Sequence, residues 1–499
     1  PSAGASTWAS TSAQMTEIMN GKFDAVWEHL GKRNGTRIAD ITRPLQTAAS
    51  HRQKRAIQLA KAQRLSQSSQ LLLAADLAPK TIATWRTLTT LFPEYAATTL
   101  SSELEAALEE KLSQPDRHFW DATLASDESL LAALGKLPYA TAPGPSGLRA
   151  EHLHCLTLTT QPVLVRFLRK LATTPESFPH VFLEAMRSNR LLAKDKRTPA
   201  AIAQGEPLRL RPLGIPEVLR KAVTQWTLRA VAQPLRDFLL PEQLGISVTR
   251  GCEHALHIVE AHLGARPDDV LLKVDLKNAF NRIDRRIANR IIEQAFPELR
   301  PLTTLSYGLN GESAPHQFAW YDHSAADWLT LQAWTGVQQG DPLGPALHAL
   351  ALSPFLHALH KRYPTLTLTA IHDDITLVGP LPEVNAALQW SELHLPEIGA
   401  DLQRTKSELL GRNLHTPRLV NHDIPDVNVT RDGIHLYSIP LGTRNYVHEH
   451  LRRLQREHER LVHAILRLPT SELQTKLSLF RYCAGPRLDY FLRTLALPY

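Results

Sequence analysis

The sequence predicts an α+β protein in which helical segments flank a central body of alternating short strands and helices. Three observations support this class. Helix formers surround an apolar run at 71–77, short apolar strands then alternate with helical stretches up to about residue 440, and residues 450–466 carry an apolar face at helical spacing. The proline- and glycine-dense segment 140–147 separates the first region from the second.

The composition describes a folded chain with a basic balance. Of 499 residues, 43% are apolar and 21% are charged, and a chain of this length can bury about three quarters of its unfolded surface. Lysine and arginine number 56 against 49 aspartates and glutamates, so the net charge of +7 favours polyanionic partners. A wholly disordered chain is excluded.

The cysteines and the hydropathy indicate an intracellular protein that does not enter a membrane. Cys155, Cys252 and Cys483 lie far apart without a Cys-x-x-Cys pair, which argues against a zinc ribbon or a disulfide framework. The sequence contains no apolar run long enough to span a membrane and no secretory leader at its start. Because it begins at Pro1 rather than at Met, we expect a piece of a longer protein.

The most concentrated positive charge lies at 31–65, within the helical first part of the chain. Against the single acid Asp40, this stretch carries Lys32, Arg33, Arg37, Arg43, Arg52, Lys54, Arg55, Lys61 and Arg64. Such a segment predicts salt-sensitive contacts with RNA phosphates, and an ordinary solvated helix face is the alternative interpretation.

Acidic residues occupy two strand ends in the central body. The apolar run 270–274 ends in Asp275, and strands at 366–372 and 375–379 form a predicted hairpin with Asp373 and Asp374 at its tip. A lone Asp pair in a turn is usually structural, because Asp favours turns. Adjacent carboxylates repel one another unless a cation intervenes, so the tip also predicts a divalent metal site that Asp275 could complete.

Between these acids lies a glycine- and proline-rich loop, 336–345, followed by the apolar helical run 346–359. Such a loop lets the backbone approach a ligand closely before a helix begins. A plain connection into a helix is the alternative. The order of strand-end acid, loop with helix, and acid-tipped hairpin makes coincidence improbable.

These segments resemble the reverse transcriptases of non-LTR retrotransposons, and the resemblance covers residues 65 to 495. Segments 274–280, 336–343 and 371–374 are similar to the first three palm motifs of that family, and 399–408 and 439–442 to the fourth and fifth. Segments 142–148, 210–216 and 243–245 are similar to motifs of the fingers and the segment after them. Within the family, 70–93 and 211–217 are most similar to site-specific elements with a restriction-like endonuclease, including those that target spliced-leader genes.

One position departs from the family pattern. An aromatic and a small residue usually precede the two acids of the third palm motif, whereas Ile371 and His372 stand there in this chain. Fidelity or rate can differ as a result. His372 is a candidate for contact with the primer end, and a histidine that packs within the hairpin is the alternative.

The resemblance implies a right-hand polymerase with a helical N-terminal extension. The implied domains are a basic extension at 1–120 that could bind RNA, fingers at 121–265, a palm with an antiparallel sheet at 266–440, and a helical thumb at 441–499. Asp275, Asp373 and Asp374 would hold two Mg²⁺ ions, with Mn²⁺ as an alternative, because these ions require hard oxygen ligands.

The resemblance also implies a nucleotide site. Arg211 and Lys194 would neutralise the triphosphate, and Phe280 would lie beneath the sugar, where its ring excludes a 2′-hydroxyl and selects deoxynucleotides. The remaining implied contacts are those of Gln339 and Gly340 with the base pair and the template, and of Lys406 with the β,γ-phosphates. For Lys194 and Lys406, an ordinary surface position is the alternative.

The predicted function is RNA-directed DNA polymerisation in target-primed retrotransposition. Its partners would be an RNA template, a DNA primer or target and deoxynucleoside triphosphates, in the nucleus and without a membrane. Two alternatives stay open: a catalytically silent RNA-binding protein of the same fold, and a maturase of the group II intron type.

Overall fold

The computed structural model describes residues 45–61, 64–73, 77–93, 98–113, 126–138, 141–159, 161–197, 201–202, 204–308, 315–322, 327–411 and 424–495. Helices and largely antiparallel sheets alternate in these ranges, so the predicted α+β class is confirmed. None of the helices in these ranges is long and apolar enough to cross a membrane.

The helices are distributed along the whole described chain. They are α1 (Leu45–Lys61), α2 (Leu65–Leu73), α3 (Ile82–Thr89), α4 (Ser102–Leu112), α5 (Asp127–Gly135), α6 (Ala150–Thr159), α7 (Gln161–Thr173), α8 (His180–Arg187), α9 (Val218–Ala230), α10 (Ala232–Leu239), α11 (Gly251–Ala265), α12 (Ala279–Arg282), α13 (Arg285–Ala295), α14 (Arg300–Tyr307), α15 (Gly344–Arg362), α16 (Leu381–His394), α17 (Arg444–Leu466), α18 (Leu473–Leu479) and α19 (Asp489–Thr494).

The strands of the described ranges form three sheets. They are β1 (Asn189–Asp195), β2 (Leu210–Pro216), β3 (Val270–Val274), β4 (His316–Asp322), β5 (Asp327–Ala333), β6 (Thr367–Ile371), β7 (Asp374–Gly379), β8 (Glu408–Leu410), β9 (Asn428–Thr430), β10 (Gly433–Leu436) and β11 (Ile439–Gly442). The first sheet has the order β2-β1-β4-β5, the second β6-β7-β3-β8-β9, and the third pairs β10 with β11.

The second sheet lies at the centre of the molecule. Strand β3 is antiparallel to both β7 and β8, with Val274 opposite Ile375. All its residues except Lys273 are buried, which explains why the strand reads as a continuous apolar run. Helix α15 packs in the same core and is buried almost all round, as its apolar sequence requires.

The first sheet combines two distant parts of the chain. Strand β1 pairs antiparallel with β2 and parallel with β4, so that Asn189 lies opposite Phe318. Since β4 and β5 fall within the predicted palm range of 266–440, that range does not correspond to one sheet. The predicted boundary after residue 440 also divides β11, which runs to Gly442, and α17 begins only at Arg444.

The N-terminal helices pack on the C-terminal ones. Ala60 of α1 shares an apolar core with Leu461 and Ile465 of α17 and with Leu479 of α18. Lys61 adds an ion pair with Glu472, with 2.7 Å between Nζ and Oε1. Of the cationic segment 31–65, residues 31–44 and 62–63 lie outside the described residues.

Candidate active site

Asp275 is fixed at the end of β3 by the segment that precedes β8. The backbone N–H of Asp275 donates to Oγ of the buried Ser407 at 3.1 Å, and its carbonyl accepts from the N–H of Gln403 at 2.8 Å. The backbone of Asp275 is therefore held on both sides of its Cα atom.

Asp373 and Asp374 lie at the tip of the β6–β7 hairpin, as predicted. Ile371 pairs with Asp374, so the turn consists of His372 and Asp373, with His372 in the left-handed region at a φ of 55°. In the register of β3 and β7, the position after Val274 lies beside Asp374, which places Asp275 next to the hairpin tip.

Gln243 holds this turn from outside the hairpin. Its Oε1 accepts from the N–H of His372 at 2.8 Å, and its Nε2 donates to the carbonyl of His372 at 3.1 Å. Gln243 is 1% exposed, and a Cβ atom at Gly245 would lie 2.9 Å from the nitrogen of His372. The amide side chain therefore fixes the peptide groups on both sides of His372, the second of which leads into Asp373.

The three carboxylates interact with one another. Burial and the charge of Asp373 raise the pKa of Asp275 above its ordinary value, against the opposing effect of Lys406. Partial burial and the charges of Asp373 and Asp275 likewise raise the pKa of Asp374. The site thus concentrates negative charge that its own residues do not fully neutralise, which favours a cation.

Cationic side chains from three segments of the chain lie near these acids. Partial burial lowers the pKa of Lys196, as do Arg211 and Lys406, whereas Asp275 and Asp373 raise it. Lys196, Arg211 and Lys406 therefore share one electrostatic neighbourhood with the acids. The predicted residue Lys406 acts directly on Asp275, as does Lys196 from the residues after β1, and the predicted residue Arg211 lies beside Lys196.

Lys194 lies on the same face of the first sheet as Arg211, and no contact among the described residues joins it to the acids. Lys194 also borders a cavity of about 870 Å³ between the N-terminal and C-terminal helices. Arg55, Tyr482 and Arg487 also line this cavity. The predicted contact of Lys194 with a nucleotide stays a prediction.

The loop that carries Gln339 and Gly340 is attached to the first sheet. The N–H of Gly214 in β2 donates to the carbonyl of Gln339 at 2.8 Å. Gly340 has a φ of 109°, and a Cβ atom there would lie 2.4 Å from the carbonyl oxygen of Gly214. Only glycine permits this backbone conformation and this close approach.

A buried ion pair fixes the same loop. Arg220 of α9 and Asp341 are both 0% exposed in their side chains, with 3.3 Å between Nη2 and Oδ2. Arg220 also donates to Oε1 of Gln338 at 2.9 Å and to Oδ1 of Asn189 at 2.6 Å. One guanidinium thereby connects α9, the start of β1 and the loop before α15.

The ring of Phe280 in α12 lies on the ring of a buried histidine, His348, which we call the platform. The Phe280 ring stacks on that of His348 in α15, with 4.6 Å between ring centroids and 10° between the planes. His348 is 0% exposed, and neither ring nitrogen has a hydrogen-bond partner among the described residues. Burial lowers the pKa of His348 to about 4, so the imidazole is neutral at physiological pH. An unpaired buried polar group costs about 1 to 3 kcal/mol.

The site fits a divalent cation in its donor chemistry and charge. Carboxylate oxygens are the ligands that Mg²⁺ prefers, and the ion commonly takes one or two of them together with substrate phosphates. Within the described ranges, no three His, Cys, Asp or Glu side chains converge into a ready-made metal cage. Mg²⁺ held by these acids would need further ligands, such as substrate phosphates.

A carboxylate site on an antiparallel sheet, faced by cations, is typical of metal-dependent phosphoryl-transfer enzymes. Residues 197–416 match the family described as reverse transcriptase (RNA-dependent DNA polymerase). The chain is also 25% identical over 281 residues to the retrotransposable element SLACS 132 kDa protein of Trypanosoma brucei gambiense. That alignment covers 55% of this chain and 22% of the relative, so the chain spans less than a quarter of the relative's length.

The chain therefore contains a reverse transcriptase domain at residues 197–416, and it is similar to a protein of a retrotransposable element. The matched family consists of RNA-directed DNA polymerases, which are nucleotidyltransferases, so the predicted resemblance and the predicted enzyme class are confirmed. The matched range includes the three acids and every predicted nucleotide contact except Lys194.

The sequence reasoning missed three residues that organise the site: Gln243, Arg220 and His348. Gln243 belongs to a segment that the resemblance had identified, but nothing in the sequence linked it to the hairpin turn. His348 could have been noticed as a polar residue within the apolar run 346–359. Arg220 gave no signal, because a single arginine in a helix usually lies on the surface.

Proposed function

We propose that this chain extends a DNA 3′ end on an RNA template during target-primed retrotransposition. The observation that carries this proposal is the meeting of Asp275 with the Asp373-Asp374 tip, opposite Lys196, Arg211 and Lys406. The site-specific subfamily, a target in nuclear DNA and the binding of element RNA are parts of the same proposal.

The architecture suits a right-hand polymerase. We assign the first sheet with the helices before it to the fingers, the second sheet to the palm, and α17 to α19 to the thumb. The β10–β11 hairpin, which would contact the primer, connects the palm to the thumb. Helices α1 and α2 are then an extension that is docked on the thumb.

The mechanism follows from what these side chains can do. Bound Mg²⁺ would activate the 3′-oxygen of the primer and stabilise the leaving pyrophosphate. Asp275 and Asp373 would hold the ions from two adjacent strands, with Asp374 as a further ligand. Arg211, Lys196 and Lys406 would neutralise the triphosphate, since an arginine offers a rigid pair of donors and a lysine a point charge.

A primer-extension assay tests this function. Purified protein is given homopolymer RNA, a complementary DNA primer, Mg²⁺ and labelled deoxynucleotide, and we expect label to enter the primer strand. A silent RNA-binding protein would bind the template without incorporating label. A maturase would be indicated by a requirement for a structured intron RNA.

Phe280→Ala is expected to weaken the discrimination between sugars. Removal of the ring opens the space beneath the nucleotide, so the ratio of kcat/KM for deoxy- and ribonucleotides should fall about 10- to 100-fold. Single-nucleotide incorporation with matched deoxy- and ribonucleotides measures this ratio. An unchanged ratio in a folded, active Phe280→Ala variant would remove Phe280 from the nucleotide site.

Lys54→Gln combined with Arg55→Gln is expected to weaken RNA binding. Removal of one cation that binds a phosphate should reduce the slope of log K against log salt by about 0.7 to 0.9. Charge substitution leaves in place the packing of α1 on α17, which a deletion would destroy. Salt titrations of RNA affinity measure the slope, and the matched control replaces the exposed Arg166 and Lys170 of α7 by Gln. Equal slopes in both double variants would show that α1 is only a solvated face.

A further inference from the structure

Phe280 belongs to a helix of only four residues, and its backbone is held more firmly than its side chain. The carbonyl of Phe280 accepts from the N–H of Val337 at 2.5 Å, which ties α12 to the loop before α15. The ring itself is half-buried. Rotation about the side-chain bonds would let the ring tilt out of position unless a neighbour supports its face.

His348 supplies that support. Its ring lies nearly parallel to the Phe280 ring, at a distance typical of stacked aromatic groups. His348 is held in place by its own helix, α15, because this helix is buried almost all round in the central core. The platform therefore belongs to the buried core, whereas the ring that it carries is only half-buried.

His348 makes its contact with Phe280 through its ring face and not through its nitrogens. Neither nitrogen has a hydrogen-bond partner among the described residues, so the imidazole does not anchor another polar group. The Asp373 carboxylate acts on His348 electrostatically. A hydrogen bond from the imidazole to Asp373 in the substrate-bound state is the competing role, and an experiment can separate the two.

We propose that His348 is a positioning residue for sugar selection, which it exerts by holding the Phe280 ring flat beneath the incoming nucleotide. The inference rests on the proposed function, because it requires Phe280 to be the residue that excludes a 2′-hydroxyl. Without the platform, the ring can withdraw and admit ribose. The deoxynucleotide needs no such exclusion, so its incorporation should be affected less.

Three substitutions separate the ring from its nitrogens. His348→Leu removes both, His348→Gln keeps an N–H donor without a ring, and His348→Phe keeps a ring without a donor. We expect the first two to lower the ratio of kcat/KM for deoxy- and ribonucleotides about 2- to 13-fold, the range equivalent to one aromatic pair. His348→Phe should retain the wild-type ratio. A ratio that is retained by His348→Gln and lost in His348→Phe would overturn the proposal.

If the larger ring of the His348→Phe variant prevents folding, a double-variant cycle of His348 and Phe280 still tests the proposal. His348→Leu in the Phe280→Ala background should cause no further loss of discrimination, because the platform then has nothing to hold. Additive losses would show that His348 acts independently of Phe280 and would refute the proposal. Thermal unfolding identifies variants that are merely misfolded.

The outcomes also distinguish this inference from the proposed function. If the wild-type protein does not incorporate deoxynucleotides, or if Phe280→Ala leaves discrimination unchanged, the proposed function or its sugar-selecting residue is wrong. If Phe280→Ala lowers discrimination and His348→Leu does not, only the role of His348 is wrong.

Discussion

Replacement of Asp275 or Asp373 by Asn or Ala is expected to abolish primer extension. Each carboxylate would supply charge and a metal ligand that an amide or a methyl group cannot replace, and metal positioning is worth several kcal/mol of the barrier. Since each 1.36 kcal/mol changes a rate about tenfold, we expect a loss of at least about 10³-fold. Single-turnover incorporation of one deoxynucleotide on an RNA template measures the loss.

The Asn variants should lose activity without losing stability. The raised pKa values of Asp275 and Asp374 show that burial and neighbouring charge disfavour the ionised carboxylates in the folded protein. The charge of Asp373 contributes to both shifts, so neutralising either Asp275 or Asp373 relieves repulsion. Each Asn variant should therefore melt at or above the temperature of the wild-type protein. A variant that is inactive because it is unfolded would melt lower.

Asp401→Asn is the matched control for the two catalytic candidates. Asp401 lies close to Asp275 in the fold, where its carbonyl accepts from the N–H of Lys277, but its carboxylate pairs with Arg282 at 2.6 Å. We expect primer extension close to that of the wild-type protein. Near-normal extension by Asp275→Asn or Asp373→Asn would remove these carboxylates from the catalytic site and with them the two-metal mechanism.

Local patterns were enough to predict the acids and the elements that carry them. The buried strand before Asp275, the hairpin with its two-residue turn and the helix after the glycine-rich loop all follow from short-range periodicity and turn chemistry. Their encounter in space was inferred from a resemblance to a known family. The structure adds the register of β3 and β7, which brings Asp275 beside the hairpin tip.

The remaining features depend on contacts between distant parts of the chain. Three such contacts are the pairing of β1 with β4, the packing of α1 on α17 and the hydrogen bonds of Gln243 with the hairpin turn. None of them produces a periodic sequence pattern in either partner. The same holds for the stack of Phe280 on His348. Sequence patterns report which face of an element is apolar, but they do not report which other element covers it.

The buried pair of Arg220 and Asp341 illustrates this limit and leads to the second large effect. Arg220→Met is expected to lower the free energy of unfolding by about 3 to 5 kcal/mol, because it leaves the Asp341 carboxylate buried without its partner. The hydrogen bonds from Arg220 to Gln338 and Asn189 would be lost as well. Urea titration followed by tryptophan fluorescence measures the change. Lys361→Met is the control, because Lys361 forms an exposed ion pair in which its Nζ lies 2.5 Å from Oε2 of Glu110.

Removal of both charges should restore much of the lost stability. In Arg220→Met combined with Asp341→Leu, no unpaired charge remains in the core, and buried ion pairs can often be replaced by apolar groups at little cost. The double variant should nevertheless extend primers poorly, because the loop with Gln339 and Gly340 would no longer be tied to α9 through Gln338. If Arg220→Met is no less stable than Lys361→Met, the two charges are not buried together. If the double variant regains stability and also full activity, the ion pair does not position the loop.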